Sequence, residues 1–200
     1  MARINGTDGA DDRHGTDGAD QFYMADGNDV AAGWAGNDLM FGGGGRDTLS
    51  GGAGNDTLDG GAGQDELRGG AGADVLRAGE GDGSAMWGGA GSDRFDFDSV
   101  NMMMQPGQSK APDQINDFSD GDRIDLRDID ANWNRAGDQA FHLVSGGEFT
   151  GQAGELILHA YQIYGAWFVD VMGDVDGDRQ FDLMINLQGY HALTASDFLL

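Results

Sequence analysis

The chain has no cysteine. No disulfide and no thiolate metal site can form, so the fold must be stapled by something else. Basic residues are scarce. Lys and Arg number 11 against 35 Asp and Glu, Lys110 is the single lysine, and the formal charge is −24 over 200 residues. Such an acidic chain does not bind nucleic acid or an anionic membrane by simple electrostatics. No apolar run approaches the roughly 18 residues of a membrane-spanning helix. The opening Met1-Ala2-Arg3-Ile4-Asn5-Gly6 lacks the pattern of a secretory signal peptide. Catalytic signatures are missing too. His14, His142, His159 and His191 are scattered with no H-E-x-x-H among them, and neither G-x-S-x-G nor a Walker-type phosphate loop occurs. Paired carboxylates abound, but nothing marks the sugar cleft that glycosidase chemistry requires. The sequence argues against an enzyme.

Composition alone suits either a disordered acidic segment or a folded chain whose charge is cancelled by metal. The order of residues decides. Of 37 glycines, 26 fall before residue 100, and they are periodic. From Gly6 to Arg77 the chain divides into gapless blocks of nine, clearest in GGGGRDTLS (42–50), GGAGNDTLD (51–59), GGAGQDELR (60–68) and GGAGADVLR (69–77). A ten-residue block, AGEGDGSAMW (78–87), breaks the period before GGAGSDRFD (88–96) restores it. A flexible linker needs neither a fixed period nor an apolar residue at a fixed phase.

The pattern is G-G-x-G-x-D-x-U-x, with U apolar. Glycines at positions 1, 2 and 4 permit a tight turn, Asp at position 6 closes it, and positions 7–9 form a short strand with one residue inward. The expected inward column is Phe22, Ala31, Met40, Leu49, Leu58, Leu67, Leu76, Ala85 and Phe95. Arg13 takes its first place, which suggests a frayed or capped N-terminal coil. Two blocks make a coil of 18 residues, and coils stack at about 4.8 Å, the spacing of paired strands.

Stacking sets each Asp beside the Asp two blocks on: Asp11/Asp29, Asp20/Asp38, Asp29/Asp47, Asp38/Asp56, Asp47/Asp65 and Asp56/Asp74, with Asp74/Asp93 across the insertion. Facing carboxylates repel unless a cation joins them. Ca²⁺ takes about 6–8 oxygens at roughly 2.3–2.6 Å, so turn carbonyls, those of Gly36, Gly45, Gly54, Gly63 and Gly72 among them, can complete a site. Mg²⁺ fits worse, and the ligand set suits neither zinc nor copper. Gly83 stands where Asp is expected, so the Asp65/Gly83 site should be weak or absent. About seven ions result, moving the formal charge from −24 to about −10. Asp8, Asp17 and Asp26 at position 3 either add ligands or face solvent.

Beyond Asp98 the composition changes: 11 glycines remain, and 11 of the 18 aromatics lie here. Residues 99–112, with Met102, Met103, Met104 and Pro106, read as a loop whose methionines either pack over the end of the coil, the favoured reading, or form an apolar contact patch. Residues 113–131 read as a segment capping the last coil. Strand-like runs at 140–144, 155–160, 167–172 and 183–187 suggest a small antiparallel sheet packed on the repeats. Asp174, Asp176, Asp178 and Asp182 sit at positions 1, 3, 5 and 9 of a loop, as in EF-hand calcium loops, but Arg179 replaces the sharp-turn Gly and no position-12 Glu follows. A further Ca²⁺ site and a plain acidic turn both remain open there.

The nonapeptides resemble the RTX, or hemolysin-type, calcium-binding repeat. DRFDF (93–97), DQINDF (113–118), GDRIDL (121–126), AGEL (153–156), GDVDGD (173–178) and LTASDFLL (193–200) are similar to the C-terminal domain of serralysin-type metalloproteases and to the R-modules of mannuronan C5-epimerases. The resemblance implies an all-β fold, a right-handed parallel β-roll over 6–96 followed by a small antiparallel β cap over 97–200. It also implies secretion to the extracellular space by a type I ABC transporter that reads a signal at 193–200, and folding driven by Ca²⁺ outside the cell. The expected chain is a monomer, either a small complete protein or the C-terminal part of a larger exoenzyme. Two other functions compete. An alginate-like polysaccharide module would need Arg46, Arg68, Arg77, Arg94, Arg123, Arg127 and Arg135 to cluster into a stripe, or bound calcium to bridge to the polymer, and an adhesin or assembly unit would need rolls stacking end to end.

Overall fold

The computed structural model describes residues 1–81, 83–98, 111–132, 139–189 and 192–200. The 99–112 loop and its methionines, Arg135 and His191 fall wholly or mainly outside them. The chain is all-β, wound as a solenoid between two sheets. The first sheet runs β1 (Arg3–Asn5), β3 (Gln21–Tyr23), β5 (Leu39–Gly44), β7 (Thr57–Ala62), β9 (Val75–Arg77), β11 (Arg94–Asp96), β13 (Arg123–Asp125) and β18 (Phe198–Leu199), all parallel. The second begins with β2 (Asp12–His14), β4 (Val30–Ala35), β6 (Thr48–Ala53), β8 (Glu66–Ala71), β10 (Ala85–Ala90) and β12 (Asp113–Ile115). It continues through β17 (Leu183–Gln188), β16 (Ala166–Asp174), β15 (Glu155–Ile163) and β14 (His142–Leu143).

Register follows the repeat. Leu49 lies beside Leu67, and Leu58 beside Leu76, so each inward residue stacks on its like one coil on. Phe22, Met40, Leu49, Leu58, Leu67, Leu76 and Phe95 are fully buried between the sheets. With one inward side chain in most blocks, the core is a narrow file, joined by Met24 and Ala78.

Several expectations are corrected. Within the repeats the longer strands span six residues, positions 7–9 and then 1–3 of the next block, because extended backbone continues through the position-1 glycine before position 2 turns it. At position 2 the left-handed backbone is real: Gly43 and Gly52 have φ of 107° and 112°, and the same conformation is imposed on Ala25 (74°) and Trp34 (77°). In the ten-residue block Met86, not Ala85, faces inward beside Leu67, because the extra residue is absorbed in the turn and shifts the strand by one. Arg13 does occupy the first inward position of β2, half-buried and ion-paired with Asp11. Residues 113–125 do not lie across the roll. β12 and β13 add a further coil, with Ile115 beside Met86 and Ile124 beside Phe95. The antiparallel strands do not pack on the roll as a separate layer either, because β17 runs parallel to β12 and carries β16 and β15 into the same sheet.

Leu58 is fully buried in the middle of the file, whereas Ile4 is only partly buried at its open end. Leu58→Ala should cost about 2–5 kcal/mol in denaturant unfolding of the calcium-loaded protein, and Ile4→Ala markedly less.

Candidate metal centre

The position-6 aspartates form two columns, one along each turn edge of the solenoid. In one, the backbone N–H of Asp11, Asp29 and Asp47 donates to Oδ1 of Asp29, Asp47 and Asp65 at 2.8–2.9 Å. In the other, Asp20, Asp38, Asp56 and Asp74 donate in the same way to Asp38, Asp56, Asp74 and Asp93 at 2.7–2.9 Å. Each column aspartate from Asp20 to Asp93 is buried. The pairings expected from the repeat are therefore present, but the link is a backbone N–H to carboxylate bond that uses one oxygen.

The other oxygen is the chemical question. Oδ2 of Asp29, Asp38, Asp47, Asp56, Asp65, Asp74 and Asp93 is buried without a hydrogen-bond partner. A buried, unpartnered carboxylate oxygen is costly. Burial pushes the carboxyls of Asp38, Asp47, Asp56 and Asp93 above their usual range, with neighbouring aspartates adding to the rise. Asp65 and Asp74 are raised to about 6, first by burial and then by Asp47 and Asp59 for the former and Asp56 and Asp93 for the latter. This donor set fits a hard oxygen-loving cation, with the position-4 turns supplying further oxygens. Gly36, Gly45, Gly54, Gly63 and Gly72 hold φ of 110–140° in those turns.

The ends of the columns differ. Asp11 and Asp20 have Oδ2 occupied: Thr7 and Thr16 at position 2 each donate a backbone N–H and a hydroxyl to it. Those bonds hold Asp11 low, led by the Thr7 N–H, and Asp20 low, led by the Ala2 N–H on its other oxygen. Asp8, Asp17 and Asp26 are exposed.

Two column members went unrecognised in the sequence. Asp113 and Asp122 accept from the N–H of Ser84 and Asp93 at 2.8 Å and so extend both columns into the last coil. Their signal was a D-x-I pattern spaced by nine, without the glycines. Ser84, not Gly83, fills the gap after Asp65, accepting the Asp65 N–H on its hydroxyl at 3.0 Å. The position-1 glycines have a role that backbone freedom does not describe. A Cβ on Gly33, Gly42, Gly51, Gly60, Gly69 or Gly88 would come within 3.0 Å of Oδ2 of the Asp five residues on, and none of these glycines has positive φ. They make room for the carboxylate.

Outside the roll, Asp174, Asp176 and Asp182 bring carboxylate oxygens within 4.8 Å of one another. Asp174 is buried and accepts the N–H groups of Gly177 and Arg179, and Asp182 accepts that of Val175 at 2.8 Å. Burial raises Asp182, with Asp176, Asp174 and Asp178 contributing. Asp178 is not in the cluster and binds Gln180 instead. Arg179 adopts φ 71°, the conformation for which a glycine would ordinarily be used. Among the described residues, several arginines are taken up in ion pairs. Arg77 pairs with Asp59, Asp96 and Asp98, Arg94 with Asp96 and Asp125, and Arg127 with Asp125.

Fold and site together define a parallel β-solenoid with carboxylate-lined turns. The model for the Peptidase M10 serralysin C-terminal family matches residues 26–200, and that for the RTX calcium-binding nonapeptide repeat, in four copies, matches residues 5–40. The chain belongs to the serralysin C-terminal family and carries RTX calcium-binding repeats. A comparison with curated proteins found no match. Similar solved structures include two subunits of the Azotobacter vinelandii mannuronan C5-epimerase. AlgE6R3 is 25% identical, with a TM-score of 0.45, over 97% of this chain and 80% of that one. AlgE6R2 is 23% identical, with a TM-score of 0.44, over 98% and 91%. Among the described residues no helix is long and apolar enough to cross a membrane.

Two outcomes follow from the geometry. Gly51→Ala should destabilise the calcium-loaded protein by about 1–3 kcal/mol in denaturant unfolding, whereas Gly9→Ala, with open space around its Cβ, should be neutral. The second concerns pH. With Asp65 and Asp74 raised to about 6 from 3.8, the metal-free fold holds protons that the unfolded chain has released. Its stability is greatest below the unfolded value, falls as pH rises from 3.8 to about 6, and is lowest above. Chelator-treated protein should therefore gain β structure on acidification from neutral pH, read by far-UV circular dichroism, and Asp65→Asn with Asp74→Asn should flatten that response.

Proposed function

We propose that the chain is an extracellular calcium-binding module whose folding is driven by Ca²⁺ after type I secretion, and that the position-6 aspartates are its main ligands. The observation that supports this most directly is the row of buried Oδ2 atoms without partners on Asp29, Asp38, Asp47, Asp56, Asp65, Asp74 and Asp93. A bound Ca²⁺ supplies the positive charge that these oxygens lack. The chain's own groups do the rest. The Asp N–H groups fix Oδ1, the position-1 glycines leave space for Oδ2, and the position-4 turns present carbonyls. Described carboxylates gather in threes only at Asp174, Asp176 and Asp182, so sites in the roll draw on backbone oxygen, whereas that loop holds a separate site of its own. Without metal, an uncompensated −24 opposes compaction, and binding energy becomes folding energy. Free Ca²⁺ is low inside cells and about millimolar outside. Extracellular modules bind at about 10⁻⁴–10⁻³ M, which suits a chain exported unfolded.

The test is far-UV circular dichroism of chelator-treated protein titrated with CaCl₂, with MgCl₂ as control. We expect a cooperative gain of β signal with calcium alone. A full β spectrum before any calcium is added would overturn coupled folding.

A further inference from the structure

The antiparallel end of the second sheet leaves an open edge. β15 and β16 are joined by a two-residue turn, Tyr164–Gly165, with φ of 50° and 86°, a hairpin turn of the primed kind. Their near halves are buried, but beyond Leu158 the hairpin projects from the core, and Ile163 and Tyr164 are exposed at its tip. β14 pairs only with Glu155 and Leu156. Among the described residues, no strand lies on the outer side of β15 from Leu158 to Ile163.

The turn fixes which groups are open. Ile163 and Ala166 flank it and face each other, so the odd-numbered residues of β15 bond to β16 and the even-numbered ones face out. Leu156 bears this out, since its carbonyl accepts the N–H of Val144 at 2.9 Å. The outward N–H and C=O groups are those of Leu158, Ala160 and Gln162.

Charge selects the occupant. From Leu156 to Val169 there is no Asp, Glu, Lys or Arg, in a chain of net charge −24. The usual guards of an exposed edge, lysine, proline or a bulge, are absent, and the β15–β16 register is unbroken. A basic partner would be drawn to the acidic remainder of the molecule and would find nothing here to pair with. An identical copy meets a neutral edge like its own, while mutual repulsion holds the other surfaces apart. We propose that β15 pairs antiparallel with β15 of a second copy about a two-fold axis at Ala160, with Leu158 opposite the partner's Gln162, joining the second sheets of two molecules. The contact is small, so the dimer is weak and dependent on concentration.

Sedimentation equilibrium of the calcium-loaded protein tests this. The mass should rise from 21.0 kDa toward twice that value as concentration passes on the order of 100 µM. Ala160 is exposed, so the fold tolerates its replacement. Ala160→Pro removes the central outward N–H without touching the bonds to β16. Ala160→Glu sets like charges opposite each other at the axis. Both should stay at 21.0 kDa with an unchanged β spectrum. A single-chain mass at every concentration, or a dimer that both variants retain, would overturn the proposal.

Discussion

The bond between an aspartate's backbone N–H and Oδ1 of the aspartate one coil on organises this molecule. It sets the stacking of turns, and it fixes the rotation of each carboxylate. Once Oδ1 is committed, Oδ2 has one direction left, into the turn, where no protein donor waits. Fold and charge are thus inseparable. The geometry that orders the coils also strands a row of anionic oxygens, and seven of them are buried. Closing such a structure on protein groups alone would need a donor at every turn. Only the ends approach that arrangement. Thr7 and Thr16 serve Asp11 and Asp20, and Ser119 serves Asp122 through its N–H and its hydroxyl. The interior instead carries Ala25, Trp34 and then glycines where these hydroxyls would stand. That substitution turns a self-sufficient turn into one that awaits a cation.

Glycine serves three ends within one nonapeptide. At position 2 it accepts left-handed backbone, at position 4 it does so again within the turn, and at position 1 it yields volume to a carboxylate. Ala25 and Trp34 show that position 2 is a preference, met elsewhere by local strain. Position 1 is a matter of contact with Asp atoms, but it too is a preference, since Met24 stands there ahead of Asp29.

Much of this could be read from the residues. The nine-residue period placed the turns, the inward file and both aspartate columns, because those features repeat with the covalent chain. What the period could not convey was how an interruption is absorbed. The extra residue at 78–87 was taken up before Ser84, which moved Met86 inward in place of Ala85 and put a hydroxyl in the column. The coil built from 113–125 was obscured because it keeps Asp113, Ile115, Asp122 and Ile124 at the spacing of nine but discards the glycines. In the loop at 174–182 the sequence named the acids but not their grouping. Asp178 is instead engaged by the Gln180 backbone and side-chain N–H groups, a local pairing that no spacing rule encodes.

The winding also bears on how fast such a fold can form. Parallel sheets are ordinarily slow to assemble, because their partners lie far apart along the chain. Here most strands find their neighbour 18 residues away, as Leu58 finds Leu76, a separation of about 0.09 of the chain length and within the range of helical bundles. Assembly can therefore zip from coil to coil with little loop entropy lost at each step. The exceptions are at the far end. Gln114 meets Asn186 and Ile124 meets Phe198 across roughly 70 residues. The topological barrier is concentrated in those two closures, and the rate at which the whole molecule becomes native is set where the chain returns to finish its sheets.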